Sequence, residues 1–130
     1  ASSLNNVGLV YKNKCDYNKA LEYYEKSLEI RKIIYADNPN HADVASSLNN
    51  IGSVYDKKDD FNKALEYYEK SYEIKKIIYA DNPNHSAIAT TLNNIGLVYD
   101  KKGDFNKALE YYEKSLEIRR IIYADNPNHP

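Results

Sequence analysis

Residues 92–130 read LNNIGLVYDKKGDFNKALEYYEKSLEIRRIIYADNPNHP, and the chain is essentially this stretch written three times. Leu-Asn-Asn begins at Leu4, Leu48 and Leu92, and Asn-Pro falls at Asn38-Pro39, Asn82-Pro83 and Asn126-Pro127, so both marks step by 44 residues. Residues 45–86 and 89–130 are identical at 34 of 42 aligned positions. A period between about 20 and 50 residues signals a stacked architecture, because a unit of that size cannot bury its apolar face alone. Units 1–44, 45–88 and 89–130 therefore form one repeat domain spanning 1–130.

Within a unit the periodicity is helical. Ala45, Leu48, Ile51, Gly52 and Tyr55 recur at three- and four-residue steps, with Ser46, Asn49, Asn50 and Ser53 between them. This predicts an amphipathic helix A beginning just after His41 or His85 and ending near Lys58. Asp59-Asp60 and Gly103-Asp104 are turn chemistry; Gly103 suits a left-handed cap, Asp59 tolerates one, and Cys15 at the same point does so less well. A second helix, B, is expected from about Asn62 to Ala80, with Ala64, Leu65, Tyr68, Tyr72, Ile74, Ile77 and Ile78 as its stripe. Asp81-Asn82-Pro83-Asn84 then stops it, since proline removes a donor and restricts the residue before it. The expected fold is all-α: six helices as three antiparallel helix-turn-helix units in a right-handed solenoid.

The spacing Leu48, Ile51, Gly52, Tyr55, Asp60-Phe61, Ala64 and Tyr68 resembles the tetratricopeptide repeat. The match recurs at Leu4, Val7, Gly8, Tyr11, Asp16-Tyr17, Ala20 and Tyr24, and at Leu92, Ile95, Gly96, Tyr99, Asp104-Phe105, Ala108 and Tyr112. Two positions depart from the family pattern. Ser27, Ser71 and Ser115 replace a small alanine late in helix B, and Lys32, Lys76 and Arg120 replace the closing proline. Helix B is therefore expected to continue through Ile-Ile-Tyr for one to two further turns, which is similar to the longer kinesin-light-chain type of repeat. Ending at His129-Pro130 without a closing unit, the chain reads as an excerpt of a longer array.

Composition bounds the function. Eighteen basic and 19 acidic residues nearly cancel, so there is no electrostatic footprint for nucleic acid or anionic membrane. No apolar run approaches the roughly 20 residues of a membrane span. A single cysteine, Cys15, fits a reducing, cytoplasmic setting, and its place in one turn of one unit makes a catalytic use incidental. His41, His85 and His129 occur once per interhelical loop without a second ligand type at metal spacing, and read as helix caps. No phosphate loop, nucleophile elbow or catalytic carboxylate pair appears, so neither an enzyme nor a cofactor is expected. The 14 tyrosines, including the pairs Tyr23-Tyr24, Tyr67-Tyr68 and Tyr111-Tyr112, read as core and subsurface packing.

The resemblance implies that A helices line a concave groove. The peptide-binding candidates there are Asn5, Asn6, Leu9, Asn49, Asn50, Ser53, Asp56, Asn93, Asn94, Leu97 and Asp100. Asparagine costs roughly half a kcal/mol against alanine inside a helix, so two in every unit need a reason. An amide both donates and accepts, and a ladder of them can pair with the backbone of an extended peptide from a partner protein. The alternative use of the same residues is bridging between helices. The family's carboxylate clamp needs cations where this chain has Asn5, Leu9, Asn50, Thr90 and Asn94, so that subtype is excluded. The competing function is a spacer or self-associating array, chaining head to tail through Ile118, Ile121, Ile122 and Tyr123 on the last helix.

Overall fold

A computed structural model of the chain describes residues 2–125. It contains six helices: α1 (Ser2–Asn13), α2 (Tyr17–Ile34), α3 (Ala42–Lys57), α4 (Phe61–Ile78), α5 (Ser86–Lys102) and α6 (Phe105–Asp125). The odd helices are the A helices and the even ones the B helices. Each A helix packs on the B helix of its own unit, and each B helix packs on the following A helix. The all-α expectation holds, and α3 and α5 begin where the histidines place them.

The turn between A and B is one motif made three times. Cys15 and Asp59 both sit at φ 63, and Gly103 at φ 83, in the left-handed region. Their N–H groups donate back to Lys12, Asp56 and Asp100, while the next residues, Asp16, Asp60 and Asp104, donate to Tyr11, Tyr55 and Tyr99. This pair of bonds satisfies carbonyls that a helix end leaves open. The same aspartates then turn round and cap the B helix, each carboxylate accepting from the backbone of Lys19, Lys63 or Lys107 at 3.3 Å.

The helical hairpin closes because glycine lets a tyrosine approach. A Cβ on Gly52 would lie 2.8 Å from Cδ1 of Tyr68, and Gly8 and Gly96 stand in the same relation to Tyr24 and Tyr112. The serines of helix B do more than replace alanine. Ser71 donates to the Ala45 carbonyl at 2.9 Å and Ser115 to that of Ala89 at 2.8 Å, both buried, tying B to A within a unit. Between units the apolar core is continuous: Leu21, Tyr24 and Leu28 of α2 meet Leu48, Ile51 and Val54 of α3, and Leu65 and Tyr68 of α4 meet Ile95 and Val98 of α5.

Helix B is shorter than its sequence suggests. α2 and α4 stop at Ile34 and Ile78, with Tyr35 and Tyr79 as caps rather than as members of a further turn. The cause lies at the cap of the next A helix: the Tyr35 ring stacks on His41 at 3.7 Å, the Tyr79 ring on His85 at 3.9 Å. The Tyr35 hydroxyl also donates to Asp43 at 2.8 Å. Those contacts turn the chain before Asn-Pro. The helix α6 runs on to Asp125, past the matching Tyr123.

Candidate functional site

The A-helix face is where the sequence places its unexplained asparagines, and the structure divides the first pair in two. The first of the first pair, Asn5, points at its own B helix. Its amide, oriented as its neighbours require, donates to Ser27 Oγ at 2.8 Å and accepts from Arg31 at 2.9 Å. Asn49 is half-buried in the same place one unit on, with its Oδ1 buried and unpartnered, and Asn93 is half-buried as well. The second members, Asn6, Asn50 and Asn94, make no side-chain hydrogen bond among the described residues. Asn6 is exposed, while Asn50 and Asn94 are partly buried.

One turn further along, Leu9 and Leu97 are exposed, with Ser53 between them in the repeat register. Ser53 accepts a hydrogen bond from Lys12 of the preceding unit. Asp56 holds Lys101 of the following unit at 2.9 Å, and this carboxylate is mostly covered. Asp100, which matches Asp56, is exposed. Burial, then the neighbouring Lys57 ammonium, pushes the Lys12 amine below its ordinary value, against a pull upward from Asp56. The face therefore carries a line of free amides bordered by a charged strip of Lys12, Asp56, Lys57 and Lys101.

Lys57 and Lys101 are absent from the sequence-level candidate set. Aligning the units shows the signal for them: one position runs Lys12, Asp56, Asp100 and the next Asn13, Lys57, Lys101, so charge differs between units at two adjacent positions.

Two sizeable clefts lie elsewhere. A cleft of ≈ 710 Å³ opens between α4, α5 and α6, floored by Tyr72, Ile88, Leu92 and Ile118. A second, of ≈ 610 Å³, repeats it one unit earlier over Leu28, Val44, Leu48 and Ile74. They exist because successive B helices splay apart and meet chiefly through the A helix between them.

The remaining candidates resolve into structure. His41 Nδ1 accepts from the Asp43 N–H, and His85 Nδ1 from the Ala87 N–H, both at 3.0 Å, as N-caps; His129 lies outside the described residues. Tyr24 and Tyr68 are core, and Tyr23, Tyr67 and Tyr111 stack on Tyr11, Tyr55 and Tyr99 with centroids 5.6 Å apart. No group of three or more His, Cys, Asp or Glu among the described residues could hold a metal ion. No helix there is long and apolar enough to cross a membrane.

This hairpin geometry agrees with comparison to known proteins. Family models of the tetratricopeptide repeat match residues 1–77 and 89–120. The chain belongs to the tetratricopeptide repeat family. Such repeats generally mediate protein–protein interaction. Among solved structures, BtubC (BKLC) from P. vanneervenii is 29% identical with a TM-score of 0.83, and the match covers 98% of this chain and 48% of that one. The chain thus spans about half the length of that relative. Nearly identical TPR-like repeats from Podosopora anserina, named for a kinesin light chain, superpose with a TM-score of 0.76 at 18% identity, over 99% of this chain and 58% of theirs. The N-terminal domain of stress-induced protein-1 from C. elegans gives 0.69 at 22% identity, over 89% and 81%. The last two are likenesses of fold. No curated protein sequence matches the chain.

Proposed function

We propose that the A-helix face binds an extended peptide segment of a partner protein, with Asn6, Asn50 and Asn94 as its backbone-reading contacts. The observation that supports this is an amide at one register of every unit that makes no hydrogen bond among the described residues. Each costs its helix stability and makes no compensating hydrogen bond among the described residues. Neighbouring Leu9 and Leu97 offer apolar contact beside the amides, and the Lys12–Asp56–Lys101 strip offers charge at one border. Asn5, expected at the outset to share this work, instead braces its own B helix through Ser27 and Arg31, while Asn49 and Asn93 are half-buried beside the second amides. Asp56 acts through its ion pair as well as its position.

A second reading is favoured by the clefts beside the B helices, whose volumes suit apolar side chains. One experiment separates the two. A peptide array would be probed with the chain, and hits titrated against Asn50→Ala/Asn94→Ala and against Ala36→Arg/Ala80→Arg, which fill the cleft mouths. Loss of roughly tenfold or more in the first variant alone is expected. Loss in the second variant alone moves the site to the clefts, and unchanged affinity in the first removes the amide ladder from the mechanism.

A further inference from the structure

The two turns that join one unit to the next are each capped by an imidazole rather than by a hydroxyl or a carboxylate. At the start of α3 the His41 Nδ1 accepts from the Asp43 N–H, and at the start of α5 the His85 Nδ1 accepts from the Ala87 N–H, both at 3.0 Å. A backbone N–H only donates, so in both caps Nδ1 is the nitrogen without a proton and the ring is neutral. The stacked Tyr35 and Tyr79 rings, with centroids 3.7 and 3.9 Å away, hold each imidazole in that orientation. A hydroxyl or carboxylate cap keeps an acceptor at any pH from about 5 to about 8, whereas an imidazole ordinarily titrates inside that range.

We infer that the turn entering α5 is an acid-sensitive hinge, released when His85 takes up a proton, and that Asp43 protects the turn entering α3 from the same release. A proton on Nδ1 of His85 sets one donor against another, the Ala87 N–H, and places a positive charge at the positive end of a helix. The cap is then lost and repulsion takes its place. In the first turn the same proton has an acceptor at hand, because Oδ2 of Asp43 lies 3.9 Å from the His41 Nδ1. The Tyr35 hydroxyl, donating to that carboxylate at 2.8 Å, keeps it beside the ring. Ala87 stands at the matching position of the second turn and offers nothing.

No other carboxylate among the described residues lies within 4.0 Å of either imidazole. The cations on the packed helices are engaged elsewhere: Arg31 of α2 with the Asp43 carbonyl and Ser47 Oγ, Lys75 of α4 with Thr91 Oγ1, Lys76 of α4 with Glu73, and Arg120 of α6 with Glu117. Arg119 of α6 is exposed, as are Asp37 and Asp81 in the turns themselves. Each cap therefore contributes in full above the imidazole range, and the second loses its contribution as pH falls through about 6.5. The turn that acid frees is also part of the wall of the ≈ 710 Å³ cleft, through Ala80, Pro83 and Asn84.

The test is the thermal midpoint, followed by circular dichroism, at about pH 7.5 and about pH 5.5, above the ordinary carboxylate range. Every chain carries His129→Asn, which leaves two imidazoles to titrate. The starting chain should lose about 3–5 °C between the two pH values, the size expected for one helix cap. His85→Asn, whose amide caps without titrating, should remove most of that loss, and His41→Asn should leave most of it. Ala87→Asp, which gives the second turn the carboxylate of the first, should shrink the loss, and Asp43→Ala should enlarge it. Each reading is a difference between two pH values, so a substitution that merely changes stability at both cancels. A starting chain whose midpoint does not move, a loss that survives His85→Asn, a loss removed by His41→Asn instead, or an Ala87→Asp chain that loses as much as before would each overturn the inference.

Discussion

The reading of the asparagines makes a stability prediction that needs no ligand. Asn50 and Asn94 sit mid-helix with amides that bond to nothing among the described residues. Replacing either with alanine removes no interaction and improves helix propensity by roughly 0.5 kcal/mol, so the double variant should gain about 1 kcal/mol. Asn5→Ala also improves propensity, but it strips Ser27 of one donor and Arg31, itself buried, of one acceptor. A bond to a charged group contributes about 1.5–3 kcal/mol, so this variant should lose about 1–2.5 kcal/mol net. Urea unfolding followed by circular dichroism gives both values as midpoint shifts at constant slope. Opposite signs are the expected result. If Asn50→Ala and Asn94→Ala each cost 1 kcal/mol or more, their amides are structural and the ladder loses its basis. Stabilised variants that also lose peptide binding would show the trade of stability for function that binding residues display.

The left-handed turn position predicts that Cys15→Gly stabilises by about 1 kcal/mol and Gly103→Ala destabilises by about as much. Nothing lies within 4 Å of a Cβ at Gly103, so equal signs in the two unfolding midpoints would refute a purely backbone cause. Gly52→Ala should cost about 1–3 kcal/mol by pushing the Tyr68 ring, read as a lower thermal midpoint. Burial, then the Asp56 carboxylate, holds the Tyr68 phenol up at about 12, from 10.0. Raised in the folded state, it contributes stability that is complete below pH 10 and is lost as pH climbs toward about 12, roughly 2–3 kcal/mol in all. Tyr68→Phe should flatten that alkaline decline; an unchanged slope would refute the assignment. Lys75, its amine lowered by burial, works in the opposite sense below 10.5.

Nearly all of the hairpin was legible because it rests on local spacing. Gly52 opposite Tyr68, the Asp59-Asp60 turn and the histidine caps each involve residues whose chemistry admits few other uses. The end of helix B was not legible, since Ile-Ile-Tyr has no local stop before Pro83. What ends α4 is the Tyr79 ring stacked on His85, the cap of the following A helix, a contact that helical periodicity does not encode. The doubled role of Asp60, finishing one helix and starting the next, could have been read from its place one residue after the left-handed position.

For the site, the limit was different. A repeat pattern shows which positions recur, yet not which recurrences are satisfied. Asn5 and Asn6 look alike in sequence, and only their partners distinguish a brace from a free amide. The same logic governs the last helix. Apolar character singled out Ile121, but Ile33 and Ile77 are exposed at the same position with a neighbour present. On the internal B helices the positions that do meet the following A helix are Leu21 and Leu65, both covered, while Ile33 and Ile77 at their far ends are not. In a solenoid each unit thus serves as the control for the next, and departures from that control, rather than hydrophobicity alone, mark the surfaces with something left to bind.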